Sequence, residues 1–252
     1  MTPDVQLSKV QLSKVQDPMS NIQRPISIII PTLNEAANIG RLLRYLRENS
    51  DPSVAEILVV DCFSSDGTAQ IAEEAGAKVV LCEVCSRAAQ MNLGAREAHS
   101  DVLYFVHADT IPPASFADDI QRELEAGQVM GCYRYQFDSP RRILKFNAYF
   151  VRYQWLWCQG GDKTFFIKRE IFEEFGGYDE RFVVMEEYDF LRKAMKKYSL
   201  RILPKSVLVS ARKYEQNSWL RVQLANIGAF SMFRWGMEPA KIKRFYKSML
   251  KH

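Results

Sequence analysis

Residues 26–43 read ISIIIPTLNEAANIGRLL, and the fold turns on them. Ile26 to Ile30 is an apolar run, interrupted only by Ser27 and closed by Pro31. A strand buried on both faces reads this way, whereas a half-exposed strand alternates. Leu42, Leu43 and Leu46 then recur at helical spacing, with Asn34 placed to cap the helix they define.

The same alternation continues downstream. Glu56 to Val60 is a second strand ended by Asp61, and a helix from about Asp66 to Ala75 is stopped by Gly76. Lys78 to Leu81 is a third strand, Ala88 to Ala98 a third helix and Val102 to Val106 a fourth strand. Strands and helices in strict turn predict an α/β fold with a mainly parallel, doubly wound sheet. Ligands of such sheets bind beyond the carboxyl ends of the strands. Asp61, His107 and Asp109 fall at those ends on topology alone.

After Pro112-Pro113 the pattern loosens. A helix from Ala114 to Ala126, a strand from Val129 to Phe137 and an aromatic, basic helix from Arg141 to Cys158 are expected. Next come a Gly-Gly turn at Gly176-Gly177, a helix from Glu186 to Tyr198, and two strands at Arg201 to Leu203 and Val207 to Val209. Residues from Trp219 onward read as basic helices. Residues 1–24 carry QLSKV twice in tandem and read as a mobile tail. Residues 25–252 read as one domain: a nucleotide-binding half (25–112), an acceptor half (113–214) and a C-terminal helical extension (215–252).

Composition narrows the function classes. The chain has 252 residues, enough to bury a full core without disulfides. Its formal charge of +4 is too small to predict nucleic-acid binding, and suits an anionic ligand or membrane surface equally. Five cysteines without regular spacing argue against a disulfide framework and for a reducing, cytoplasmic location. Cys82 and Cys85 form a lone CxxC with no second ligand pair, which favours packing over zinc. No run is long and apolar enough for a transmembrane helix.

The segments IIIPTLNEAANI, VVDCFSSDGT and FVHADT follow one another in the order shown by the family 2 glycosyltransferases, which the chain resembles. That family has the nucleotide-diphospho-sugar transferase (GT-A) fold. SRAAQMNLGA, the GGD…FIKREIFEEFGGY segment and the MEE…D region narrow the resemblance to bacterial transferases often encoded beside radical-SAM proteins. It spans about residues 26 to 248.

The resemblance implies an inverting, metal-assisted transfer of a sugar from a nucleotide-diphosphate donor, a UDP-sugar foremost, to a hydroxyl acceptor of unknown identity. It implies that Asp61 accepts a hydrogen bond from the base, that Thr32 and Glu35 contact the nucleoside, that Arg87 serves the donor diphosphate, and that Asn92 contacts the donor. Cys62-Phe63 stand where the family has glycines, which bears on the base pocket. Asp109, last in His107-Ala108-Asp109, matches the ligand of Mn²⁺ or Mg²⁺; His107 is a further metal ligand, a phosphate contact or a strand cap. Asp162 matches a family Gly-Asp-Gln, with Lys163 for Gln. Glu187, or Glu186 beside it, matches the catalytic base, and Arg212 with Lys213 would steady the departing diphosphate.

Each of these has a plainer alternative: Glu35, Glu186 and Glu187 are also first-turn acids favoured by a helix dipole, and Asp162 is also a turn former. Arg141, Arg142, Lys145 and Arg152 among Trp155 and Trp157 suit a core or acceptor-site helix, or peripheral membrane contact with a lipid-linked acceptor. Glu187 for Asp, His107 for Asp and Lys163 for Gln also keep open a non-catalytic nucleotide-sugar-binding protein. A nucleotidyltransferase would need a Gly-rich loop after the first strand, and PTLNEAANI has none.

Overall fold

A computed structural model describes residues 23–159 and 163–250. The expected tail therefore lies outside the described residues, apart from its end: Arg24 is tied through its backbone N–H and C=O to the Gln121 side chain at 3.1 and 2.7 Å. Asp162 also lies outside the described residues.

Residues 25–112 follow the expected order of elements. β1 (Ile26–Thr32), α1 (Ala36–Glu48), β2 (Val54–Asp61), α2 (Thr68–Glu74), β3 (Lys78–Leu81), α3 (Arg87–Glu97) and β4 (Val102–Phe105) alternate, and their strands pair in parallel in the order β3-β2-β1-β4. Side chains of β1 alternate between two cores, as strand geometry requires. Ile28 and Ile30 pack with Leu42, Leu43 and Leu46 of α1, while Ile29 packs with Ala88, Met91 and Ala95 of α3. Gly94 lets α3 lie close on the sheet, since a methyl there would overlap Ile29 Cγ2 and Val60 Cγ2.

Past β4 the sheet becomes mixed. β5 (Thr110–Ile111) and α4 (Phe116–Glu125) precede β6 (Met130–Phe137); α5 (Arg142–Tyr149), β7 (Phe165–Lys168), α6 (Arg169–Glu174), α7 (Glu186–Ala194) and β8 (Arg201–Val209) follow. β7 inserts antiparallel between β4 and β6, and β8 pairs parallel with β6, extending the sheet to eight strands among the described residues. α8 (Lys213–Gln216), α9 (Trp219–Arg234) and α10 (Pro239–Met249) complete the chain. No described helix is long and apolar enough to cross a membrane.

Four local expectations are corrected. The long helix from Arg141 to Cys158 stops at Tyr149 and continues as 3₁₀ turns at Phe150–Arg152 and Leu156–Cys158. The two late strands are one: Pro204 does not end β8 but sits where its register with β6 shifts between Tyr133 and Arg134, the usual place for a strand proline. Asn34 does not cap α1. It lies at φ 56°, and Asp66 and Thr68 take the first N–H groups instead, from Ala36 at 3.0 Å and Glu35 at 2.8 Å. Finally, Cys62 at the end of β2 is disulfide-bonded to Cys85 just before α3. That bond removes the cysteine argument for a reducing compartment.

Candidate active site

The carboxyl ends of β1, β2 and β4 converge, as the topology predicts. Thr32, the last residue of β1, donates from its hydroxyl to Asp61 Oδ1 at 2.9 Å. Ser64 adds its hydroxyl to Oδ1 at 2.6 Å and its backbone N–H to Oδ2 at 2.8 Å. Asp61 is 1% exposed, so its position is fixed by three internal donors. A carboxylate accepts about four hydrogen bonds, which leaves one direction for a further donor. Phe63 beside it adopts φ 50° and is 60% exposed, a strained backbone that turns an aromatic ring outward. Gln90 locks this end of the sheet, its amide donating to both Thr32 O and Val60 O at 2.7 Å.

Asp109 lies between β4 and β5 and faces a cavity of about 690 Å³ that Glu35, Arg212, Lys213 and Tyr214 also line. Arg212 joins the two acids. Its Nη2 donates to Glu35 Oε1 at 2.8 Å and stands 3.9 Å from Asp109 Oδ2. Asn38 Nδ2 holds the other Glu35 oxygen at 2.7 Å.

A second cavity, of about 540 Å³, opens on the other side of Lys213 and Tyr214, which line both. Arg87, Glu186 and Glu187 face it. Glu187 Oε1 lies 3.8 Å from His107 Nε2, so the loop that carries Asp109 touches the acid pair. Both acids occupy the first turn of α7, entered through Met185 at φ 77°, a left-handed conformation unusual for a side chain of that size.

The two acids differ in surroundings. Glu186 is 1% exposed, its Oε1 accepts no hydrogen bond among the described residues, and Arg87 Nε stands 3.6 Å away. Burial pushes its carboxyl above the usual carboxylate range, and the Arg87 guanidinium pulls partly back. Glu187 is more accessible and has His107 at its head. Of the pair, Glu187 is the more accessible from the cavity.

Other expected site residues are used differently. Asn92 is not brought to the cavity. Its amide donates to Tyr178 O at 2.8 Å and Glu180 Oε1 at 2.9 Å and accepts from Tyr178 N–H at 2.9 Å, pinning the turn after Gly177. Lys163 also turns inward, donating to Gln159 Oε1 at 2.6 Å and Val151 O at 3.2 Å, and burial pulls its ammonium below the ordinary lysine range. Arg87 opens α3 after the Ser86 cap but leans to Glu186. Ser64 was missed because a serine next to a strand end carries no signal of its own.

Among the described residues no three His, Cys, Asp or Glu side chains form a ready metal cage. Asp109 nevertheless suits a hard cation. Its carboxylate is 30% exposed in the cavity, and magnesium commonly takes one or two protein carboxylates and fills its shell with phosphate and water.

Residues 27–185, more than half of the chain, match the model of glycosyl transferase family 2. The chain belongs to that family. Among curated relatives, a probable glycosyltransferase of Bacillus subtilis, YdaM, is 24% identical over 222 residues, 78% of this chain and 53% of its own. The chain thus spans about half the length of that relative. Among solved structures, a mannosyltransferase from Pyrobaculum calidifontis in complex with GDP-Man and Mn²⁺ superimposes with a TM-score of 0.65 at 20% identity, covering 90% of this chain and 69% of that one. Glucosyl-3-phosphoglycerate synthase of Mycobacterium tuberculosis, in complex with Mn²⁺, UDP and glucosyl-3-phosphoglycerate, gives 0.60 at 18% identity, covering 87% and 82%. Both share the GT-A fold with this family 2 chain.

Proposed function

We propose that the chain is an inverting glycosyltransferase that moves a sugar from a nucleotide-diphosphate donor to an acceptor hydroxyl. The observation that carries this is the pair of cavities sharing Lys213 and Tyr214 as a wall, one bearing Asp109 and the other Glu187. Family membership supports it, and so do the GDP-Man and the UDP named for the two solved neighbours.

In this reading Asp61, with Phe63 beside it, holds the base of a UDP-sugar, and Glu35 lies toward the ribose. Asp109 would hold Mn²⁺ or Mg²⁺ with the donor diphosphate, and the cation would offset the charge that develops on the leaving nucleoside diphosphate. Arg212 adds a fixed positive charge to the same cavity. The acceptor hydroxyl approaches from the second cavity and gives its proton to Glu187 as its oxygen attacks the anomeric carbon. His107 orients the Glu187 carboxylate for that transfer.

Thermal melts with UDP-, GDP- and TDP-sugars, with and without Mn²⁺, test donor binding. Asp109→Ala is expected to abolish the metal dependence of the melt, while Glu187→Ala leaves donor affinity nearly intact and abolishes turnover. Equal loss of affinity in both variants would refute this division of labour. Intact binding with no turnover of any donor would leave a non-catalytic binding protein.

A further inference from the structure

The second cavity differs from a site built for polar acceptors. Its walls are α5 with its following 3₁₀ turns on one side, and α9 with Tyr246 of α10 on the other. Phe146, Phe150, Trp157, Trp219, Ile227 and Phe230 line it between them. Polar groups are present, but they bond to one another. Asn147 Nδ2 and Gln223 Nε2 donate to the Tyr214 hydroxyl at 3.3 and 3.5 Å, and Trp219 Nε1 donates to Asn147 Oδ1 at 3.3 Å. Tyr246 donates to Asn226 Oδ1 at 3.2 Å and receives a short hydrogen bond from Lys213 Nζ. Away from the charged end at Arg87, Glu186 and Glu187, ring faces and aliphatic side chains are the main groups left to touch a ligand. A hydroxyl-rich sugar would need those amides, and a phosphorylated acid would need cations that are not already engaged, whereas Arg87 faces Glu186 at 3.6 Å and Lys213 bonds to Tyr246.

The apolar surface continues out of the mouth. Phe146, Trp157 and Ile227 line the cavity and are still 58%, 51% and 62% exposed. Leu220 and Leu224 extend the Ile227 face of α9 at helical spacing, and Trp155 stacks on Trp157 at 5.6 Å. A contiguous exposed apolar patch at a cavity mouth marks a surface that meets an apolar ligand.

The geometry points to an amphipathic alcohol as acceptor: a hydroxyl group carried on a long apolar body, with the body seated among Phe150, Trp157 and Phe230 and the hydroxyl at Glu187. This rests on the transferase reading. In the step, the alcohol oxygen forms the bond to the anomeric carbon while the bond from that carbon to the donor phosphate breaks. The alcohol proton passes to Glu187, and the nucleoside diphosphate leaves with the electron pair.

The test titrates the chain, with UDP and Mn²⁺ present, against linear primary alcohols from ethanol to dodecanol, with glucose and 3-phosphoglycerate as polar comparators. Tryptophan emission is the readout, since Trp157 and Trp219 line the cavity. Affinity is expected to rise about three- to fourfold per methylene until the cavity is full, with one saturable site. Ile227→Asp, an exposed position where folding is not at stake, should weaken dodecanol binding about tenfold while nucleotide binding, read separately by thermal melt, is kept. Dodecanol in detergent micelles and in phosphatidylcholine vesicles separates a free amphiphile from one drawn from a membrane, and saturable binding in either supports the inference. Affinity independent of chain length, or preference for glucose or 3-phosphoglycerate, overturns it and leaves the donor reading standing. Absence of nucleotide binding overturns the donor reading itself, and the inference with it.

Discussion

Arg212 donates to Glu35 across 177 residues of sequence, at 2.8 Å, and so ties the segment before α8 to the loop after β1. The same guanidinium lies within 3.9 Å of Asp109. It therefore sits between two acids of the proposed donor cavity, where charge-assisted bonds are strong and planar geometry matters. Arg212→Met is expected to weaken UDP binding about tenfold by calorimetry, a loss of roughly 1.4 kcal/mol. Arg212→Lys should recover only part of it. Unchanged affinity in Arg212→Met would remove the residue from donor binding.

Glu187→Gln keeps the side chain's shape and removes its basicity. Turnover should fall by roughly two to four orders of magnitude, the range a general base contributes, with UDP affinity unaltered. His107→Ala, acting through Glu187, should lower kcat more than it raises KM. An equal effect of His107→Ala on UDP affinity and on kcat would place His107 with the donor instead.

Glu186 gives a pH signature. Its carboxyl titrates above the ordinary value of 4.5 because burial disfavours the charge. A raised folded value means that its favourable contribution is complete below that ordinary value and is lost as pH rises through the folded value. Glu186→Gln should therefore melt higher than the parent chain at neutral pH, and the gap should close as pH falls toward 4.5. A gap that widens in acid would show that the ionised form is the one the fold stabilises.

Reducing the Cys62–Cys85 bond, or replacing Cys85 with Ser, frees a loop of sequence separation 23. The expected cost is about 3 kcal/mol, a fall in Tm of roughly 6–12 °C. Because the bond ties the strand end bearing Asp61 to the start of the helix bearing Arg87, nucleotide affinity should fall as well. A melt unaffected by reductant would show the bond to be energetically idle.

Gly94→Ala tests the contact of α3 with the sheet. The added methyl meets Ile29 and Val60, both fully buried, and overpacking of this kind costs about 1–3 kcal/mol. Circular dichroism melts should show the loss without any change in the ratio of kcat to nucleotide affinity.

The strands that end at Thr32 and Asp61 were legible because they are nearly continuous apolar runs: burial on both faces explains ISIII, interrupted only by Ser27, and the ILVV that follows Glu56. What the sequence concealed were partnerships at long separation. Asn92 has the look of a ligand contact, yet it holds a turn 86 residues away. Cys85 suggested a CxxC with Cys82, while the chain brings it to Cys62. The break after Tyr149 was hidden because aromatic residues fit a helix or the turns that replace it, and only the packing of Phe150 and Trp157 decides. Pro204 falls between the two strands expected there, and a register shift absorbs it into one.

Lys213 and Tyr214 belong to the walls of both cavities. A side chain that is furniture in two rooms cannot be moved for one occupant alone. If the first substrate to arrive shifts that short helical turn, the second meets a different doorway, and thermodynamic reciprocity makes the influence equal in both directions. The preference of such a catalyst for its acceptor is then partly written by the sugar nucleotide already seated next door.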